Sequence, residues 1–399
     1  MKLKQMLARI LRDRSGPSRP PSHAPLHPAP QQERAKITVR SRTGIPDAPE
    51  PVVLGLADRR NPESDPAQER AIVRRVWASY RKMKAAQKTA PAPYQPGHKW
   101  APEIRKRRGE YIEALRSRDL VALTKLLRNF YRNSGSFSLL KYASFQQLTQ
   151  PSSAQERILS SFYQSIRADL ETWKEYAEDR DPGQLAVPLV GNPYGCVLDG
   201  QLITPAACPH NYYFQRARAL LAGDPESVVA EIGAGFGGIA YFLLRSGMNL
   251  HYVEFDLPEV LIVAEYFLLT ALPEKRFLLF GEDPSNDLSM DVIRQYDGIL
   301  MPNFQLPRLP DVSVDLFINT HSLSEMDYAT VEEYMSQITR ACKKYFFHEN
   351  SDWQAEIGYG KTEVTSSEFP IPKNQFTRIY KLDAIWNEPR YREYLYRRI

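Results

Sequence analysis

From Ser227 onward the sequence alternates. Strand-like apolar runs ("SVVAEIG", "NLHYVEFDL", "GILMPNF", "VDLFINT", "KYFFHEN") are separated by helix-like stretches ("GGIAYFLLRSG", "PEVLIVAEYFLLTAL", "TVEEYMSQITRACK"). Alternation at these lengths implies a parallel, doubly wound α/β sheet. Such a sheet binds its ligands beyond the carboxyl ends of the strands, usually on the loop after the first. Here that loop is "EIGAGFGG", Glu231 to Gly238. Thr330 and Glu333 have the spacing of a helix-capping box. The stretch "KTEVTSSEFPIPKNQFTRIYKLDAIW" carries two β-like runs with no helix between them, which fits an antiparallel hairpin closing the sheet. The final "RYREYLYRRI" reads as a terminal helix with a solvated charged face.

The preceding sequence has a different texture. The first hundred residues hold 14 of the 31 prolines, and a stretch such as "SGPSRPPSHAPLHPAPQQ" buries too little apolar surface to offset its ordering entropy. Residues 15–98 therefore read as a mostly disordered linker, with room for a helix around "AQERAIVRRVWASYRKMKAAQ". Before it, in residues 1–14, Leu3, Met6, Leu7, Ile10 and Leu11 fall on one helical face with basic residues opposite. That short face can lie on an anionic membrane or dock on a partner, although a frayed surface helix accounts for it as well. Residues 99–204 read as a helical and loop region contributing to an acceptor site, and 205–399 as the ligand-binding domain. Within the helical region Ser153 and Glu156 form a second capping-box pattern, and Ile158, Leu159, Phe162, Ile166, Leu170 and Trp173 recur at helix spacing.

The bulk properties exclude several classes. No window is apolar enough for long enough to span a bilayer, and the first residues lack the uninterrupted apolar core of a secretory signal. The three cysteines, Cys196, Cys208 and Cys342, have no paired spacing, which suits a reducing cytoplasm rather than a disulfide framework or a zinc site. A net charge of +5 is mild and does not call for a nucleic-acid partner.

The glycine loop fits two templates. Gly233, Gly235 and Gly238 match the dinucleotide pattern, whereas Glu231, Gly233, Gly235 and Gly237 match E-x-G-x-G-x-G. An acid ahead of the glycines would repel a pyrophosphate and suits a cationic ligand group such as that of S-adenosylmethionine (SAM). The next strand ends in Glu254 and Asp256, at the reach where a carboxylate accepts hydrogen bonds from ribose hydroxyls.

At this point the residues resemble a family. "VVAEIGAGFGG" with "FDLPEV" is similar to the class I SAM-dependent methyltransferases. The ordered set "GNPYG", "PHNYYFQRA", "EIGAGFGG", "FDLP", "LMPNF", "VDLFINTHSLSEMD" and "FFHEN" resembles the sugar O-methyltransferases of bacterial surface-glycan clusters, from about Trp100 to the C-terminus. The resemblance implies a Rossmann-like sheet of strand order 3-2-1-4-5-7-6. It implies that Glu231, Gly233, Gly235 and Gly237 line the methionine and ribose part of SAM and that Asp256 holds the ribose. Asn303 and Phe304, after the third strand, would flank the adenine. "FLLFGEDPSND" competes as that third strand, which would substitute Glu282 or Asp283.

Transfer of a methyl group to a sugar hydroxyl needs alignment and a general base. His321, in the loop after the fourth strand, is the leading base, with Glu325 to orient its ring or contact the sugar. His348 and Glu349 after the fifth strand are the second candidate pair. No residue cluster calls for a metal. The expectation is a cytoplasmic SAM-dependent O-methyltransferase with a sugar or glycan acceptor, serving surface polysaccharide or glycolipid synthesis. Three alternatives compete: an O-methyltransferase for an aromatic or polyketide hydroxyl, an NAD-dependent oxidoreductase or epimerase, and a non-catalytic assembly protein.

Overall fold

The computed structural model describes residues 65–136 and 145–399, apart from 98, 178, 286, 355, 359, 360, 363 and 388, together with Leu56 and Asp58. The amphipathic stretch expected in residues 1–14 and most of the Pro-rich segment lie outside the described residues.

Eight strands form one sheet: β1 (Ser227–Ile232), β2 (Leu250–Asp256), β3 (Phe277–Leu279), β4 (Gly298–Pro302), β5 (Val314–Thr320), β6 (Cys342–Ser351), β7 (Phe376–Asp383) and β8 (Tyr391–Arg398). Their order is β7-β8-β6-β5-β1-β2-β4-β3. The pairings from β3 to β6 are parallel, while β8 is antiparallel to both β6 and β7. With β4 as the third strand this is the class I methyltransferase order, extended by one short edge strand. "LMPNF" therefore holds the place beside β2, and "FLLFGEDPSND" supplies the edge strand β3 outside it.

Every residue of β1 is buried, because helices cover both faces of a parallel sheet and its central strand meets no water. Helices α6 (Ala207–Leu220), α7 (Gly238–Arg245), α8 (Pro258–Ala271) and α9 (Tyr328–Ala341) are part of that cover. The N-terminal layer contributes α1 (Pro66–Gln87), α2 (Trp100–Arg107), α3 (Gly109–Ser117), α4 (Leu120–Leu127) and α5 (Gln155–Tyr176).

Helix α1 is the helix for which the reading of residues 15–98 left room, and it packs into the fold. No proline falls between Pro66 and Pro91, Asp65 caps the first turn through Ala67 N at 2.8 Å, and Ile72, Val73, Val76, Tyr80 and Met83 are buried. The helix packs along α8. Ser79 donates to Glu265 at 2.7 Å, Lys84 pairs with Glu259 at 2.7 Å, and Arg75 pairs with Glu282 at 2.7 Å. The helix allowed for around "AQERAIVRRVWASYRKMKAAQ" is the one observed, with its single proline, Pro66, in the first turn.

Three local expectations give way. Helix α5 starts at Gln155 behind Ala154 with no side-chain cap, so Ser153 and Glu156 form no capping box. Helix α9 starts at Tyr328, which puts Thr330 and Glu333 inside its first turns, where Glu333 accepts from Tyr94 at 2.7 Å instead. The terminal segment is a strand, not a helix. Its residues alternate: Tyr394 and Tyr396 stack on His348, while Glu393 is buried with Arg216 at 3.0 Å and Tyr212 at 2.8 Å. Alternation of this kind is a strand's period. Among the described residues no helix is long and apolar enough to cross a membrane.

Candidate active site

One cleft opens at the carboxyl ends of β1, β2, β4 and β5. Its floor is the glycine loop. Gly233 and Gly235 have φ of +72° and +69°, a region where side chains are strained, and a Cβ on Gly233 would overlap the Ser322 side chain. Gly235 N donates to Asp256 Oδ2 at 3.0 Å, and Leu257 N donates to Asp256 Oδ1 at 2.6 Å. The end of β2 thus clips the loop open. Asp256 faces the cleft, and burial lifts its carboxyl to about 7 against the pull of those two amides and of Arg108. Asn303 also lines the cleft. Its amide nitrogen donates to Tyr94 O at 3.1 Å and Tyr334 OH at 3.0 Å, leaving a buried Oδ1 with no partner.

Other residues expected at the cofactor stand back from the cleft. Glu231 is buried beneath the loop, accepts from Tyr252 OH at 2.6 Å, and is pushed to about 7, chiefly by burial. Gly237, at φ +82°, starts α7; a Cβ there would lie 2.9 Å from the Leu268 side chain on α8. Both support the loop without lining the cleft. Phe304 turns into the core, edge-on to Phe280 at 5.6 Å. The alternation of β1 and the turn after β4 decide these directions, and neither can be read from motif spacing.

The far end of the cleft holds His321. Its backbone sits at φ +71°, held by a 2.7 Å bond from its N–H to Glu349 O. Such a conformation is kept only where the surroundings enforce it. The ring's Nε2 is 3.2 Å from Glu349 Oε1 and 2.7 Å from the Asn387 amide nitrogen, which also donates to Glu349. Tyr391 packs edge-on against the ring at 5.1 Å. A carboxylate only accepts and favours hydrogen on Nε2, whereas the Asn387 amide nitrogen only donates and favours the lone pair there, so the two neighbours pull the ring toward opposite tautomers.

Glu325 lines the cleft but does not hold the histidine. It pairs with Lys99 at 2.5 Å and accepts from Trp100 Nε1 at 3.2 Å, tying the N-terminal layer across the cleft mouth. His348 is excluded as a base. It lies on the opposite side of β6, fully buried among Phe346, Phe369, Tyr394 and Tyr396, and burial drives it down to about 3. In a strand neighbours face opposite ways, so of the adjacent pair only Glu349 reaches His321.

Two further groups converge there. His210 lines the cleft and is lowered to about 4 by burial and by the nearby His321. Tyr213 lines it too, its hydroxyl buried beside the Glu349 carboxyl, and burial together with that neighbour holds it well above the ordinary tyrosine value. Asn387 and Tyr391, from the β7–β8 connection and β8, were missed in the sequence because no motif marks them. Among the described residues no three His, Cys, Asp or Glu side chains cluster to hold a metal ion.

No protein-family model matches the chain, and no curated protein does. Solved structures with similar parts include several named as methyltransferases. The magnesium protoporphyrin IX methyltransferase ChlM of Synechocystis, with bound SAH, is 12% identical over 59% of this chain and 95% of its own, with a TM-score of 0.34. The mitomycin 7-O-methyltransferase MmcR is 14% identical over 62% and 69%, at 0.31. The pyocyanin biosynthetic protein PhzM is 13% identical over 49% of this chain, at 0.33, and the match spans only 56% of PhzM. Scores this low carry no argument of their own; the fold assignment rests on the strand order.

Proposed function

We propose that the chain is a SAM-dependent O-methyltransferase whose acceptor is a sugar hydroxyl. The observation that carries the reading is one cleft that joins the glycine loop, Asp256 and Asn303 to His321. Asp256 can accept from ribose hydroxyls and the unpartnered Asn303 Oδ1 from an adenine amino group, beside glycine backbone that no side chain obstructs. An NAD pyrophosphate at the same loop would instead lie against the Asp256 carboxyl.

SAM, when bound, supplies a methyl group already activated by its sulfonium. His321 takes the acceptor's proton while Glu349 and Asn387 keep the ring from turning. Gln95, Asp327 and Thr330, with Trp100 and Tyr391, complete a polar wall with aromatic surfaces. That mixture suits a polyhydroxyl acceptor better than a flat apolar one, and the motif resemblance names the same class, in surface polysaccharide or glycolipid synthesis. Three buried free cysteines fit a reducing compartment, the cytoplasm.

The test is titration calorimetry with SAM, SAH and NAD on the wild type and on Asp256→Asn, then labelled methyl transfer to sugar and phenol panels. Micromolar SAM binding, about −8 kcal/mol, weakened in the variant and absent for NAD, supports the cofactor. NAD binding alone overturns the reading, and transfer to phenols alone overturns the acceptor.

A further inference from the structure

Helix α1 has a second face. Arg70, Arg74, Arg81 and Lys88 are exposed, and steps of four, seven and seven residues keep them on one line along the helix, within about 40°. Trp77 lies in the same stripe. Two guanidinium groups lie over its ring, that of Arg81 with its carbon 4.9 Å from the ring centroid and that of Arg118 at 4.7 Å. Its Nε1 donates to Leu115 O at 3.0 Å. These contacts fix the end of α3, with exposed Arg116 and Arg118, beside the stripe. Three residues further on, Val121 at the start of α4 is 82% exposed, the highest value for a large hydrophobic side chain among the described residues. Lys125 is exposed one turn later.

The charge is segregated along the chain. Residues 65–132 hold 17 lysines and arginines against six acids, whereas residues 133–399 hold 23 against 35. Part of this excess pairs internally, as Arg75, Lys84 and Lys99 do. Arg70, Arg74, Lys88, Arg116 and Lys125 form no ion pair among the described residues.

The geometry points to this face, α1 with the α3–α4 turn, as a docking surface for an anionic lipid membrane. Basic side chains alone suit any polyanion. An exposed apolar residue ringed by them suits a bilayer, where Val121 enters the headgroup layer and the bases meet lipid phosphates. A single-stranded nucleic acid would want a free aromatic face for stacking, and the Trp77 ring already carries two guanidinium groups. The acidic body is repelled by the same membrane, so the molecule's own field turns this face toward it. The docking elements also run directly into the cleft. Pro93 and Gln95 follow α1, and Trp100 precedes α3; all three line the cleft. Docking would hold the cleft near the lipid–water boundary, where a lipid-linked acceptor presents its sugar. That last consequence rests on the proposed acceptor; the docking does not.

The experiment sediments the full-length chain with phosphatidylcholine vesicles, with and without phosphatidylglycerol, at low and high salt. Binding is expected only with the anionic lipid, and is expected to fade with salt. The combined Arg70→Glu, Arg74→Glu and Arg116→Glu variant should bind about tenfold more weakly or worse. Val121→Ser should bind several-fold more weakly with no change of charge. SAM calorimetry on the same proteins should be unchanged, which separates this proposal from the cofactor assignment and shows the variants folded. The proposal is overturned if the wild type ignores anionic vesicles, if either variant binds like wild type, or if single-stranded RNA is bound and vesicles are not.

Discussion

Glu349 Oε1 lies 3.2 Å from His321 Nε2, joining the carboxyl end of β6 to the loop after β5. The same carboxylate accepts from Asn387, so three separate chain segments fix one imidazole. Removing the base should cost most. His321→Ala is expected to lower kcat by about 10²–10⁴ while leaving SAM affinity within a factor of about two. Equal loss in kcat and in SAM binding would mean the ring supports the cofactor instead.

Glu349→Gln keeps the shape but removes the charge that favours hydrogen on Nε2. A fall in kcat of about 10-fold or more is expected, with the acidic limb of the pH–rate profile displaced toward lower pH. The profile is the deciding readout, since a purely structural role would lower activity without moving it.

SAM affinity should rise with pH. Asp256 must be ionised to accept from two ribose hydroxyls, and burial holds it at about 7. Calorimetry from pH 6 to 8 should record tighter binding across that window, and Asp256→Asn should abolish the trend. Asn is the better probe than Ala, because its side-chain oxygen can still accept from Gly235 N or Leu257 N.

The unliganded protein should lose stability as pH rises. Glu231 and Asp256 both titrate near 7 when folded, above their ordinary values of 4.5 and 3.8. Groups raised in this way favour the fold fully below the unfolded value and progressively less up to the folded one. The melting temperature should therefore fall between about pH 4 and pH 8 on their account. Glu231→Gln should flatten part of that fall and stabilise the protein at pH 8 by on the order of 2–3 kcal/mol. A variant that melts lower than wild type at pH 8 would count against the buried-acid account.

His348→Phe should leave kcat and KM near wild-type values. The ring is enclosed by four aromatic side chains on the far side of β6, and its Nε2 has no partner to lose. A large drop in kcat in a protein that still melts normally would restore His348 as a candidate.

The amino-acid sequence by itself determined the sheet, its parallel core and the position of the glycine loop. Those follow from local periodicity and from residues such as Gly233 and Gly235, whose backbone conformations admit little else. It also brought His321, Asp256 and Asn303 into consideration, because each directly follows or ends a strand and so reaches the carboxyl rim. Direction and partnership came only with the tertiary structure. His348 and Glu349 are adjacent in sequence, and strand alternation, referenced to the register of β6 on β5, sends one into the core and the other to His321. Glu231 heads the glycine motif yet bonds Tyr252 on the neighbouring strand, since its side chain points off the sheet away from the cleft. Asn387 had no local signal, because it acts from a connection between two C-terminal strands whose place beside β6 depends on long-range pairing.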